Sequence, residues 1–156
     1  MPIAYLGLGS NLGDKEANLQ QAIACLEQAG AIILAVSTFR VTKPYGVVDQ
    51  PDFLNGVVAI NWHKTPQKLL QTCLAVEKSM GRVRKRKWGE RNIDIDVLLF
   101  GESIIHTSTL IVPHPDMLNR RFVLEPLNEI GSTVIHPVLH KTINELWQAF
   151  KKREGV

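Results

Sequence analysis

Apolar runs and helical periods alternate along this chain in the order β-α-β-β-α-β, which predicts an α+β fold with a ferredoxin-like, split-βαβ core. Three observations carry that reading: strand-like runs rich in β-branched residues, two segments with apolar residues at helical spacing, and capping signals at both helix starts. Length and composition agree. With 156 residues, 45% of them apolar and 21% charged, the chain is expected to form a single domain over residues 1–156, large enough to bury one core.

Ile3 to Leu8 is a short apolar run read as the first strand. The segment Gly7-Leu8-Gly9-Ser10-Asn11-Leu12-Gly13 reads as a tight strand-to-helix turn; its spacing is neither the dinucleotide fingerprint nor a P-loop. Asp14 is a candidate N-cap, and Leu19, Ile23 and Leu26 recur on one helical face until Gly30. Ile32 to Val41 reads as one strand, and a loop rich in breakers runs from Lys43-Pro44-Tyr45-Gly46 to Gln50-Pro51. Phe53 to Trp62 is a further strand. Thr65-Pro66 pairs an N-cap with proline at the first helical position, and Leu69, Cys73, Val76 and Met80 line one face of the second helix. Ile93 to Phe100 completes the core. A short hairpin (Ile104 to Val112), a helical segment near Leu118 to Ile130 and a C-terminal helix from Thr142 to Lys152 are expected beyond it.

The net charge of +3 is unevenly spread. Residues Arg82 to Arg91 carry six basic side chains against one acidic, a local charge of +5, while the remainder carries 12 basic and 14 acidic residues, or −2. One cationic loop on a mildly acidic body points to an anionic ligand rather than to a surface that coats nucleic acid. No apolar run approaches the roughly 20 residues of a membrane span. Met1 leads into an apolar run without a signal-peptide pattern, so a cytoplasmic location and no membrane partner are expected. Cys25 and Cys73 fall within helical patterns and are expected as buried free thiols; zinc is not expected.

Asp94 and Asp96 lie two apart in the last core strand, so both project to one face while Ile93 and Ile95 point into the core. Two strand rises separate their backbones by about 7 Å, a spacing at which carboxylates converge on hard cations such as Mg2+. The alternative is an acidic pair on the solvent face of an edge strand. The adjoining cationic loop favours the metal, because arginine forks reach two phosphate oxygens at once and paired metal ions clamp reacting phosphates.

The run Lys87-Trp88-Gly89-Glu90-Arg91-Asn92-Ile93-Asp94-Ile95-Asp96-Val97-Leu98 closely resembles the signature of the hydroxymethyl-dihydropterin pyrophosphokinase family, enzymes of folate synthesis. Gly9-Ser10-Asn11, Asp49-Gln50-Pro51-Asp52-Phe53-Leu54-Asn55, and Val112-Pro113-His114 through Asn119-Arg120 look like further family segments in the family order. The resemblance implies a ferredoxin-like core with additions. It also implies transfer of pyrophosphate from ATP, the co-substrate, to the pterin hydroxymethyl oxygen, with AMP leaving.

By the same resemblance Asp94 and Asp96 hold two Mg2+ ions, and Arg82 and Arg91 close over the reacting phosphates as catalytic residues. Arg84, His114 and Arg120 match nucleotide contacts. Glu77, by itself a helix-surface glutamate, matches an acid near the metal on the ATP side. Thr42, Tyr45 and Gly46 match a loop that binds the pterin, Phe122 a second aromatic of the slot, and Trp88 a lid. Phe53 and Asn55 share one strand face, and a ring beside an amide suits a flat heterocycle with an amide-like edge. Ordinary core packing is the alternative for Phe53 and Phe122. Departures from the family pattern fall at Lys43, Leu74, Thr109, Ile111 and Pro115.

Two rivals follow from the same pattern. An RNA-binding ferredoxin-like module needs aromatics across its inner strands, and Tyr5 alone occupies the first. A metal-dependent phosphohydrolase has no use for an aromatic-amide slot. Neither a nucleic acid nor an obligate protein partner is expected.

Overall fold

The structure, a computed structural model, describes residues 2–43, 49–81 and 92–156. Its core elements are β1 (Ile3–Ser10), α1 (Lys15–Gln28), β2 (Ile32–Val36), β3 (Arg40–Thr42), β4 (Phe53–Asn61), α2 (Pro66–Ser79) and β5 (Asp94–Phe100). A hairpin of β6 (Ile105–His106) and β7 (Ile111–Val112), a 3-10 turn at Met117–Asn119, α3 (Arg121–Gly131) and α4 (Ile143–Glu154) follow. The sheet order is β2-β4-β1-β5, with β3 also on β4 and all neighbours antiparallel. This is the split-βαβ arrangement expected from the sequence.

The caps act where the sequence places them. Asp14 Oδ1 accepts from Ala17 N at 3.1 Å, and Thr65 Oγ1 accepts from Lys68 N at 3.1 Å ahead of Pro66. Thr142 and Glu145 form a reciprocal capping box on α4. The single strand expected from Ile32 to Val41 is instead split. Val36 pairs with Val58 and Arg40 with Asn55, so three residues of this segment face two of β4. Ser37 holds the break: its amide donates to Val57 O at 2.9 Å, and its hydroxyl accepts from Val57 N at 2.8 Å. The Phe39 ring crosses β4 at Gly56, where a Cβ would lie 2.7 Å from its Cδ1.

Side-chain parity divides the core between the two sheet faces. Ala4, Leu6, Leu8, Val58, Ile60, Ile93, Ile95 and Val97 pack on one face with Leu19, Leu26, Leu69, Cys73 and Val76 of α1 and α2. Tyr5, Val57, Ala59 and Leu98 pack on the other with Leu124, Leu127, Trp147 and Phe150 of α3 and α4. This second layer covers one end of its face only. Toward the other end, Tyr5 gives way to Gly7 and Gly9, Val57 to Asn55 and Phe53, and Leu98 to Asp96 and Asp94. Of the two cysteines, Cys73 is buried as expected, whereas Cys25 is only partly so because it lies at the margin of the α1 packing face.

A polar clasp joins α3 to the start of β3. Glu129 accepts from the Thr38 amide at 3.0 Å, the Thr38 hydroxyl at 3.0 Å and the Arg40 guanidinium at 2.8 Å. Partial burial pushes the Glu129 carboxyl up, but the Thr38 and Arg40 hydrogen bonds and the Arg40 charge outweigh it and hold the group below its ordinary value. A depressed carboxyl stabilises the fold above its unfolded pKa, about 4.3, and that contribution disappears as pH falls through the lower folded value. Glu129→Gln is therefore expected to lower the urea midpoint at pH 7, with the gap to the parent protein closing on acidification below the ordinary carboxylate range. A gap that stays constant down to the acid limit would show that the clasp does not depend on charge.

Candidate active site

The uncovered end of the second sheet face forms a cleft whose floor is β1. Gly9 stands opposite Asn55 on β4 and Asp94 on β5, and Gly7 opposite Val57 and Asp96. A Cβ at Gly9 would meet Asn55 Oδ1 at 2.7 Å and Phe53 Cδ1 at 3.6 Å, whereas one at Gly7 would make ordinary contact with Leu98 at 3.6 Å. The turn expected over Gly7 to Gly13 is thus corrected: both leading glycines lie inside β1, and the turn starts after Ser10. Gly9 is glycine because a side chain of the neighbouring strand lies over its Cα.

Asn55 is buried, and its Nδ2 donates to Thr42 Oγ1 across the β3–β4 ladder. Phe53 from β4 and Phe122 from α3 line the same cleft, as does Lys43. Asn11, just past β1, donates to Gln50 Oε1 at 2.8 Å and to Pro51 O at 3.0 Å, tying the end of the floor strand to the approach to Phe53.

Asp94 and Asp96 form the opposite side of the cleft, both half-buried. Glu77 is not the surface glutamate its sequence suggests. It is 4% exposed, and its Oε2 accepts the Ile95 amide proton at 2.7 Å. Cys73, one helical turn earlier, has its thiol pushed up to about 12 by burial and by the charges of Glu77 and Asp96. It stays protonated at neutral pH and is no nucleophile.

His114 is anchored by its amide, which donates to Leu98 O at 3.0 Å, while its Nδ1 accepts from Asp116 N at 3.1 Å. Burial and the Arg120 charge hold its imidazole below the ordinary value, against smaller upward effects of Asp116 and Asp94. The ring is therefore neutral at pH 7, with Nε2 carrying the proton. Arg120 is 9% exposed, lines the cleft, contacts Asp116 Oδ2 at 3.3 Å and lies 5.6 Å from the Phe122 ring centroid.

Of the residues singled out from the sequence, Thr42, Phe53, Asn55, Asp94, Asp96, Arg120 and Phe122 line one cleft. His114 stands beside Arg120 and Asp116, and Glu77 lies behind the acidic strand. Tyr45, Gly46, Arg82, Arg84, Trp88 and Arg91 lie outside the described residues. Gly7, Gly9 and Lys43 are cleft residues that the sequence reading did not select. The signal for the glycines was present, since Gly7 and Gly9 alternate at strand period within an apolar run. Leu74, Thr109, Ile111 and Pro115 are exposed and do not line this cleft. Tyr5 is buried beneath the second helical layer, which removes the aromatic platform an RNA-binding sheet would need.

Among the described residues no group of three or more His, Cys, Asp or Glu side chains converges as a metal cage. Two carboxylates beside an open cleft leave the remaining ligand positions to water and substrate oxygens. That donor set fits Mg2+, which keeps waters and takes one or two carboxylates plus phosphate oxygens, and does not fit a closed structural zinc site. No helix among the described residues is long and apolar enough to cross a membrane.

Residues 5–132 match the family described as 7,8-dihydro-6-hydroxymethylpterin-pyrophosphokinase. The chain is 43% identical over 138 residues to the 2-amino-4-hydroxy-6-hydroxymethyldihydropteridine pyrophosphokinase of Haemophilus influenzae, covering 88% of this chain and 86% of that one. It is also 43% identical over 156 residues to the protein of the same name from Bacillus subtilis, with 99% and 93% covered. Among solved structures it is similar to the wild-type HPPK-DHPS of Plasmodium falciparum, with a TM-score of 0.77 and 16% identity over 99% of this chain. It spans 46% of that longer chain, and the likeness at this identity is one of fold.

The floor yields a direct comparison. Gly9→Ala is expected to cost about 1–3 kcal/mol, as overpacking does when the displaced neighbour is itself pinned, here Asn55 by Thr42. Gly7→Ala is expected to lie within about 1 kcal/mol of the parent, because its Cβ meets only ordinary contacts. Denaturant melts of the two variants check this, and equal losses would remove the steric role from Gly9.

Proposed function

We infer that this chain, which belongs to the 7,8-dihydro-6-hydroxymethylpterin-pyrophosphokinase family, transfers pyrophosphate from ATP to the hydroxymethyl group of 6-hydroxymethyl-7,8-dihydropterin. AMP is the second product, and the reaction belongs to folate biosynthesis. One observation carries the reading beyond family membership: the aromatic-amide slot and the carboxylate pair share one floor, with Asn55 and Asp94 on opposite sides of Gly9. An acceptor held by the first and a polyphosphate held at the second meet over the same strand.

In the proposed reaction the hydroxymethyl oxygen attacks the β-phosphorus of ATP. A new O–Pβ bond forms, the Pβ–O bond to the α-phosphate breaks with its electron pair leaving on AMP, and the hydroxyl proton passes to solvent. Phe53 and Phe122 stack on the two faces of the pterin, while Asn55, oriented by Thr42, reads its amide-like edge. Asp94 and Asp96 are the residues that would hold magnesium, for which two ions are expected. When bound, magnesium neutralises the triphosphate and polarises the reacting phosphorus. His114, neutral, offers a proton at Nε2 to the nucleotide, and Arg120 adds charge on the same side. The resemblance adds Arg82 and Arg91 as the arginines over the reacting phosphates, Arg84 on the nucleotide, and Tyr45, Gly46 and Trp88 around the pterin. Such transfers depend on positioning and charge stabilisation rather than on a strong base. The aromatic-amide slot supports an organic acceptor over water, and so a transferase over a phosphohydrolase.

The direct test is AMP formation from ATP, Mg2+ and the hydroxymethyl-dihydropterin, omitting each in turn. AMP that requires both pterin and metal is expected; ADP, or product without pterin, would overturn the reading. In the same assay Asp94→Ala and Asp96→Ala are each expected to lower turnover by at least about 10²-fold, the scale of losing one preorganised charge-stabilising group, with unchanged melting. Phe53→Ala is expected to weaken pterin binding about tenfold or more through lost stacking and to leave ATP affinity within a factor of two. Equal losses for the two substrates would contradict the slot.

A further inference from the structure

We propose that Glu77 is a positioning residue that, by accepting the Ile95 amide proton, sets the backbone between Asp94 and Asp96 and so aims both carboxylates at the bound metal and polyphosphate. The proposal rests on the reading of those two aspartates as the metal pair and deepens it.

The geometry comes from the edge position of β5. Among the described residues this strand pairs with β1 alone, with Leu8 opposite Ile95. The Ile95 side chain enters the α1/α2 core, and the two aspartates flanking it face the cleft. An amide buried at a sheet edge needs an acceptor, or the strand shifts to find one. Glu77 Oε2 meets that need at 2.7 Å, the short distance of a charge-assisted bond.

Other roles fit less well. Glu77 is 4% exposed and does not line the cleft that contains Asp94 and Asp96. Nor does it complete a metal cage with them among the described residues. It sits on α2 beside Val76 and one turn from Cys73, both buried against the sheet, so its carboxylate is delivered from a packed helix. A movement of the Ile95 peptide would re-aim the side chains on both sides of it together. A single bond thus controls two ligands, as outer partners of metal sites do.

The test separates hydrogen-bond reach from charge. Glu77→Gln keeps an acceptor at the same reach and loses the charge. Glu77→Asp keeps the charge and falls short of the amide, and Glu77→Met keeps the volume without an acceptor. Binding of Mg2+ with α,β-methylene-ATP is titrated calorimetrically, pterin binding serves as the internal control, and exchange of the Ile95 amide is followed by NMR. The glutamine variant is expected to stay within about threefold of the parent. The aspartate and methionine variants are expected to lose about 10–100-fold in metal-nucleotide affinity, with faster Ile95 exchange and pterin affinity within twofold. If methionine prevents folding, the glutamine and aspartate variants decide the matter alone. Glutamine as damaging as aspartate, or aspartate and methionine both harmless, would overturn the proposal. A parent protein that binds the metal-nucleotide but releases no AMP would sink the transferase reading and leave the role of Glu77 standing. A parent with no metal-dependent binding would overturn the metal pair and this proposal with it.

Discussion

The site depends on the register that places Gly9 between Asn55 and Asp94 across three strands. Strand side chains alternate faces, so a slip of one residue in β5 would turn both aspartates into the α1/α2 core and bring Ile93 and Ile95 to the cleft. The apolar parity of the buried face opposes that slip. Ala4, Leu6 and Leu8, Val58 and Ile60, and Ile93, Ile95 and Val97 must all reach the same helices. The burial that stabilises the fold therefore also specifies the face on which the polar residues gather.

That face is half covered and half open, and the boundary follows residue type. Where the strands carry Tyr5, Val57, Ala59 and Leu98, α3 and α4 cover the sheet. Where they carry glycine, asparagine and aspartate, with Phe53 the one large ring, the apolar surface is too broken to seat a helix, and a cleft is left. The second layer nevertheless contributes to that cleft, because Arg120 and Phe122 stand at the start of α3. The Glu129 clasp to Thr38 and Arg40 ties this helix to the strand segment that ends in Thr42. Phe122, Thr42 and Asn55 are thereby held in one frame.

Charge is arranged with the same economy. Three carboxylates, Glu77, Asp94 and Asp96, lie on or against one edge strand, an unfavourable concentration in a partly desolvated region. Their surroundings divide them between two tasks: Glu77 is buried on a backbone amide, and Asp94 and Asp96 face the cleft. The Cys73 thiol remains protonated and the His114 imidazole neutral, so neither adds charge to the cluster. The cationic segment that follows α2 in sequence carries a local charge of +5, of the sign that a polyphosphate needs.

Much of this was legible in the residues. Caps at Asp14 and Thr65, helical periods, and the strand parity of Asp94 and Asp96 are local properties, decided by neighbours within a turn or a pleat, and the structure follows them. The family-like segments led to the same cleft. What escaped was decided by partners distant in sequence. The break between β2 and β3 comes from Ser37 bonding Val57 and from Phe39 crossing Gly56. Glu77 is of a residue type that usually lies on a helix surface, although it stands four residues after Cys73 on the buried face, and the packing of α2 on β5 gives it the Ile95 amide as partner. Gly9 reads as a turn residue until Asn55 is seen above it. The sequence alone determined the order of the core helices and strands, their caps, and the strand face that carries Asp94 and Asp96. The tertiary structure decided which elements meet, because register and helix docking depend on the whole buried surface at once, and no local window contains it.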